Sequence, residues 1–133
     1  KEEKINIEDG DLYTPGSTAL TNTGVRADSR VDTGSSSFIG SRSSGTVKRA
    51  TLRVTAVSGS GTATITIQDS SNVGWADGTG FSNFLAFAQI SGVGTVTATT
   101  TDAMDRYLQI NVTQYSGLTN FNCMVTIGVD LGT

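Results

Sequence analysis

The sequence predicts an all-β fold, an antiparallel β-sandwich in a single domain, and three observations carry that prediction. Thr, Ser, Val and Ile dominate a chain with 16 glycines and one proline, a composition suited to pleated strands and tight turns. Segment after segment alternates apolar and polar residues with the period of two that lays one face of a strand on a core. At 133 residues there is room for one such core.

Residues 1–15, KEEKINIEDGDLYTP, are charged at the front and free of Ser. Ile5, Ile7, Leu12 and Tyr13 are apolar anchors along an extended segment that Pro15-Gly16 stops. Two readings compete: an edge strand of the chain's own sheet, or an extended N-terminal arm pairing with a neighbouring subunit. In the second, Lys4, Ile5, Ile7, Leu12 and Tyr13 make the contact. Residues 16–133 are the sandwich domain. Glu8, Asp9 and Asp11 around Gly10 lack the ligand spacing of a calcium loop, which continues to a Glu about twelve residues in, so no metal site is expected.

Thr14 to Thr46 is rich in Ser, Thr and Gly, with apolar touches at Ala19, Leu20, Val25, Val31, Phe38 and Ile39. One or two short strands with long loops are expected, SSSFIGSRSSG being an exposed connection. Arg26, Arg30, Arg42, Lys48 and Arg49 form a loose basic zone that Asp28 and Asp32 interrupt, and it reads as a solvated loop face.

Arg49 to Ser71, RATLRVTAVSGSGTATITIQDSS, is the organising stretch. Ala50, Leu52, Val54 and Ala56 alternate with Thr51, Arg53 and Thr55, and Ala63, Ile65 and Ile67 alternate with Thr62, Thr64, Thr66 and Gln68. With Ser58-Gly59-Ser60-Gly61 between them, the two runs read as a hairpin with one apolar and one Thr-rich face.

SSNVGWADGTGFSN then reads as a long loop in which Gly74, Gly78 and Gly80 permit tight turns around Trp75. Trp75 is expected to anchor that loop over the end of the core. The alternative is a platform beside Asp77 on which a sugar stacks, with Tyr13, Tyr107 and Tyr115 as further candidate platforms. Phe84 to Ile90 has bulk on both faces, Phe84 and Ile90 on one and Leu85 and Phe87 on the other. It is expected to be covered on both sides, by the core and by another element or subunit, so Phe84 and Phe87 are candidate partner contacts.

Thr95 to Thr101 reads as a Thr-rich edge strand. RYLQINVT, Arg106 to Thr113, points Leu108, Ile110 and Val112 inward and Tyr107, Gln109 and Asn111 outward. Ser116 and Gly117 are expected to make the last turn. Phe121 to Leu131 closes the fold, with Phe121, Cys123, Val125, Ile127, Val129 and Leu131 on one face, which makes Cys123 a buried, inert thiol.

Composition also excludes function classes. With no His and one Cys, the chain has no Ser-His-Asp or Cys-His arrangement, no His-ligated zinc, no thiolate metal site and no internal disulfide. Carboxylate pairs such as Asp102 with Asp105, or Asp69 with Asp77, fall where Asp caps backbone in turns. No catalytic residue and no cofactor is therefore expected. A formal net charge of -3 argues against a phosphate-neutralising nucleic-acid binder. No apolar run approaches the roughly 20 residues that span a bilayer, and neither a secretory leader nor an initial Met opens the sequence, so a processed start at Lys1 is expected.

Three stretches, RATLRVTAVSGSGTATITIQDSS at 49–71, FLAFAQISGVGTVTATTTDAMDRYLQINVT at 84–113 and FNCMVTIGVDL at 121–131, together resemble small virion structural proteins of tailed bacteriophages, of the capsid decoration or cement type. The match covers about two thirds of the chain and leaves the N-terminal third unmatched. The resemblance implies a jelly-roll-like sandwich without enzymatic activity, located on the capsid surface of the virion. It implies binding to the major capsid protein and to copies of itself, as a homotrimer. A tail or fibre component and a carbohydrate- or receptor-binding module are the alternatives.

Overall fold

The computed structural model describes residues 3–5, 11–13, 22–34 and 42–131. They form seven strands in one antiparallel sheet: β1 (Glu3–Ile5), β2 (Asp11–Tyr13), β3 (Gly24–Asp32), β4 (Val47–Ser70), β5 (Ser82–Ala86), β6 (Gly94–Thr100) and β7 (Tyr107–Leu131). A single 3₁₀ turn, Trp75–Asp77, interrupts the β4–β5 connection.

The scaffold is a pair of very long strands. β4 has 24 residues and β7 has 25, and they pair antiparallel from Val47↔Asp130 to Ser70↔Tyr107. The other five strands attach to this pair. β6 lies on the first half of β4 (Lys48↔Thr100 to Val54↔Gly94) and β5 on its second half (Thr66↔Ala86 to Asp69↔Ser82). β3 lies on the first half of β7, and β2 and β1 on its second half. Each half of the β4–β7 ribbon thus becomes the centre of a wider sheet, and the curl between the halves brings their apolar faces around one core.

The expected hairpin within 49–71 is corrected by this arrangement. Ser58 to Gly61 is not a turn but a bend in a continuous strand, and Ser116-Gly117, expected as the last turn, is the matching bend in β7. Register shifts fall at Val54/Ala56, Ala56/Ser58 and Gly59/Thr62, the signature of β-bulges that increase twist and curl. Two glycines make the bend possible. A Cβ on Gly61 would meet the Ser116 carbonyl oxygen at 1.6 Å, and Gly117 sits at φ +68°, a region that favours glycine. A Gly/Ser cluster that breaks alternation serves a turn or a bulge equally well. The facing break in the partner strand decides for the bulge.

The alternating residues fill the core as expected with the exception of Ala56, which the register shifts on either side of it leave exposed. Ala50, Leu52 and Val54, then Ala63, Ile65 and Ile67 from β4 meet Leu108, Ile110 and Val112, then Phe121, Cys123, Val125 and Ile127 from β7 in one cluster. Truncating a residue such as Leu52 or Ile65 to Ala costs about 2–5 kcal/mol, the transfer free energy plus the cavity left behind. The chain after Phe84 differs from expectation. β5 ends at Ala86, and residues 87–90 rejoin the sheet through an isolated bridge, Ala63↔Ile90. Leu85 and Phe87 enter the core on one parity, and Ile90, of the other parity, joins them because the strand breaks and resets the alternation before it.

The end of the core where β4 both begins and finishes is closed by the β6–β7 connection. Met104 plugs the core there, and its N–H donates to the Arg42 carbonyl at 2.8 Å. Lys48, placed by sequence on a solvated face, is fully buried (0 % exposed). It shares the parity of Ala50, Leu52 and Val54, and its ammonium reaches past the core edge to donate to the Ser43 and Asp102 carbonyls at 2.5 and 2.6 Å. Burial lowers its pKa, opposed by the nearby Asp102. At the other end of the strand Asp69 is also buried, and its Oδ2 accepts from the Asp105 N–H at 2.9 Å. Asp69 thus caps backbone, as expected of it, but from within a strand rather than a turn.

Candidate functional site

The inward run Leu108, Ile110, Val112 leaves Tyr107 and Gln109 on the opposite face of β7. Gln109 there heads a polar row across four strands. Arg30 Nε on β3 donates to Gln109 Oε1 at 2.8 Å, Gln109 Nε2 to Gln68 Oε1 on β4 at 2.7 Å, and Gln68 Nε2 to Asn83 Oδ1 on β5 at 2.9 Å. The register makes this row possible, since Gln68 lies opposite both Gln109 and Asn83. Each amide donates one way and accepts the other, so Gln109 is satisfied although it is only 2 % exposed.

The β4–β5 loop folds back toward this row. Asn72 Oδ1 accepts from the Gly74 N–H at 2.8 Å and the Asn72 carbonyl from the Trp75 N–H at 3.1 Å, starting the 3₁₀ turn. Gly78, at φ +87°, ends it and donates to the Trp75 carbonyl at 2.9 Å. Ser70 Oγ donates to the Thr79 carbonyl at 3.0 Å, and Arg30 Nη1 to the Ala76 carbonyl at 3.2 Å. The result is a fixed position for Trp75. Its indole lies flat on the Tyr107 ring, with centroids 4.7 Å apart and planes 3° from parallel.

Arg106 completes the cluster. Its guanidinium lies over the Tyr107 ring, 5.3 Å from the centroid, and pairs in bidentate fashion with Asp32, Nε to Oδ1 at 2.6 Å and Nη2 to Oδ2 at 2.9 Å. That pairing raises the Arg106 pKa above its ordinary value, so the group stays charged. Asp32 is itself held by the Gly34 N–H, which donates to Oδ1 at 2.9 Å.

The sequence-predicted residues are distributed as follows. Trp75 anchors its loop, but on Tyr107 and away from the core cluster, rather than over the end of the core. Of the other candidate platforms, Tyr107 joins it, whereas Tyr115 packs edge-on against Phe121 and donates its hydroxyl to the Leu118 carbonyl at 2.9 Å. Lys4 and Ile5 lie in β1 and Leu12 and Tyr13 in β2, both strands pairing with β7 of the same chain, while Ile7 lies outside the described residues. Phe84 is half-buried against the core. Phe87 is 2 % exposed inside it, on the same inward parity as Leu85, and offers no surface to a partner.

Arg30, Asp32, Gln68, Asn83 and Arg106 escaped the sequence reading as site residues. The outward position of Gln109 was the available signal, but its partners come from strands whose neighbours the alternation does not specify.

Among the described residues no group of three or more His, Cys, Asp or Glu is placed to hold a metal ion, and no helix is long and apolar enough to cross a membrane. No family model, curated protein or solved structure matches the chain.

Proposed function

We propose that the chain is a non-enzymatic structural protein of a tailed-bacteriophage virion, a decoration protein that binds the outside of the major capsid protein shell and stabilises it. In this reading the two halves of the curled sheet are the layers of a jelly-roll-like sandwich, and the working form is a homotrimer on the capsid surface.

The observation that carries the reading is the continuous β4–β7 ribbon. The resemblance to virion proteins rests on residues 49–71, 84–113 and 121–131, and these stretches supply all of β6 and the larger part of β4, β5 and β7. The resemblance therefore falls on the load-carrying part of the fold. A cement protein needs such a part: a stiff body with one core, polar outer faces, and sheet edges that can extend a neighbour's sheet, backbone pairing giving affinity and alternate side chains giving register. β6 is an edge of this kind. Among the described residues it pairs with β4 alone, and Thr95, Thr97 and Thr99 stand exposed along it.

The test uses capsids stripped of accessory proteins. Added protein is expected to raise the temperature at which those capsids rupture. An unchanged rupture temperature under saturating protein would count against capsid decoration and leave tail or fibre partners to be examined.

A further inference from the structure

We propose that the Trp75 indole is the floor of a binding site for a neutral saccharide. The site lies outside the core: Trp75 is not part of the core cluster, and its aromatic partner is Tyr107 on the opposite face of the sheet. Such a stack, on an otherwise polar face, is not explained by core formation.

Three features give it the chemistry of sugar recognition. First, the platform is preorganised. Hydrogen bonds from Gly74, Gly78, Ser70 and Arg30 fix the loop, and the parallel stack on Tyr107 fixes the ring plane, so little conformational freedom remains to be lost on binding. Secondly, polar groups accompany the stack. The Arg106 guanidinium over the Tyr107 ring, with its side chain 46 % exposed, the Asp77 carboxylate of the same 3₁₀ turn as Trp75, and exposed Asn83 at the end of the amide row are donors and acceptors suited to vicinal hydroxyls. A pyranose presents an apolar C–H face to an aromatic ring while its equatorial hydroxyls reach outward to such groups. Thirdly, the local charges carry no positive excess: Arg30 and Arg106 stand against Asp32, Asp77 and Asp105. An acidic sugar would find no excess positive charge, which selects a neutral one.

Trp75 is the single tryptophan of the chain, so its emission reports on the site directly. The probe is an array of immobilised neutral oligosaccharides built from hexoses and N-acetylhexosamines, followed by fluorescence titration with any sugar retained. The expected result is retention of at least one neutral oligosaccharide, a change in Trp75 emission on titration, and binding at least tenfold weaker in Trp75→Ala. Trp75→Phe, which keeps an aromatic ring on Tyr107, is expected to bind with intermediate strength and serves where the Ala variant loses its native circular dichroism. The proposal is overturned if wild-type protein retains no neutral oligosaccharide, or if a sugar is retained with no change in emission and equal affinity in the folded Trp75 variants. Capsid binding is a separate readout, so failure here leaves the virion reading standing.

Discussion

Lys48 and Asp69, near opposite ends of the same strand, hold the same short segment of backbone: Lys48 Nζ donates to the Asp102 carbonyl at 2.6 Å and Asp69 Oδ2 accepts from the Asp105 N–H at 2.9 Å. Because β4 bends through the whole fold, its two ends meet at one end of the core. The segment they grip carries Met104, whose side chain closes that end.

Replacing Lys48 by Met keeps the volume of the stem but removes the charged donor that ties the Ser43 and Asp102 carbonyls together. A hydrogen bond to a charged group contributes about 1.5–3 kcal/mol, so Lys48→Met is expected to melt several degrees lower and to speed amide exchange at residues 101–105. Equal melting temperatures and equal exchange would show that the ammonium does not hold the segment.

Asp69 makes stability depend on pH with a defined sign. Burial raises its pKa above 3.8 in the folded protein, the Asp105 hydrogen bond opposing and the Asp105 charge reinforcing the shift. Between the unfolded and folded values the native state binds more protons than the unfolded state, so this group's contribution falls as pH rises through that window. Asp69→Asn retains an acceptor for the Asp105 N–H and has no proton to lose. The stability of wild type relative to Asp69→Asn, from urea midpoints, is thus expected to decrease from acid toward neutral pH. A constant or increasing difference would contradict the assignment.

Gly61 distinguishes a bent strand from a hairpin turn. In the bend, the added methyl of Gly61→Ala collides with the Ser116 carbonyl, and the overpacking is expected to cost about 3 kcal/mol. Gly92→Ala, where nothing lies within 4 Å of the new Cβ, is expected to stay within about 0.5 kcal/mol of wild type. A Gly61→Ala variant as stable as the Gly92→Ala control would restore the hairpin.

Cys123 is buried in the core, and desolvation pushes its thiol up to about 12. Only the thiolate is nucleophilic, so a thiol-reactive disulfide reagent at neutral pH should modify it no faster than the protein unfolds. Rapid stoichiometric modification of the native protein would place Cys123 at the surface.

The inward faces were legible in the sequence wherever alternation ran unbroken: Ala50 to Val54, Ala63 to Ile67, Leu108 to Val112 and Phe121 to Val129 are all buried on the expected parity. Connectivity was not legible at Ser58–Gly61, because local chemistry allows a turn or a bulge there and only the distant Ser116-Gly117 break selects between them. Lys48 illustrates the same limit. Its parity placed it inward, its charge argued for solvent, and two carbonyls from separate loops resolved the conflict. Of the candidate site, Trp75 and Tyr107 were visible singly as aromatic residues, but their stack is set by the β4–β5 loop folding across the sheet, a non-local event that no spacing encodes.

Saturable co-sedimentation with capsids stripped of their accessory proteins decides whether this chain binds a virion shell. The free protein is expected to have the mass of a trimer by light scattering, and after mixing to bind with saturation at a fixed ratio to the major capsid protein. Protein that remains in the supernatant at every ratio, as a monomer, would contradict that binding.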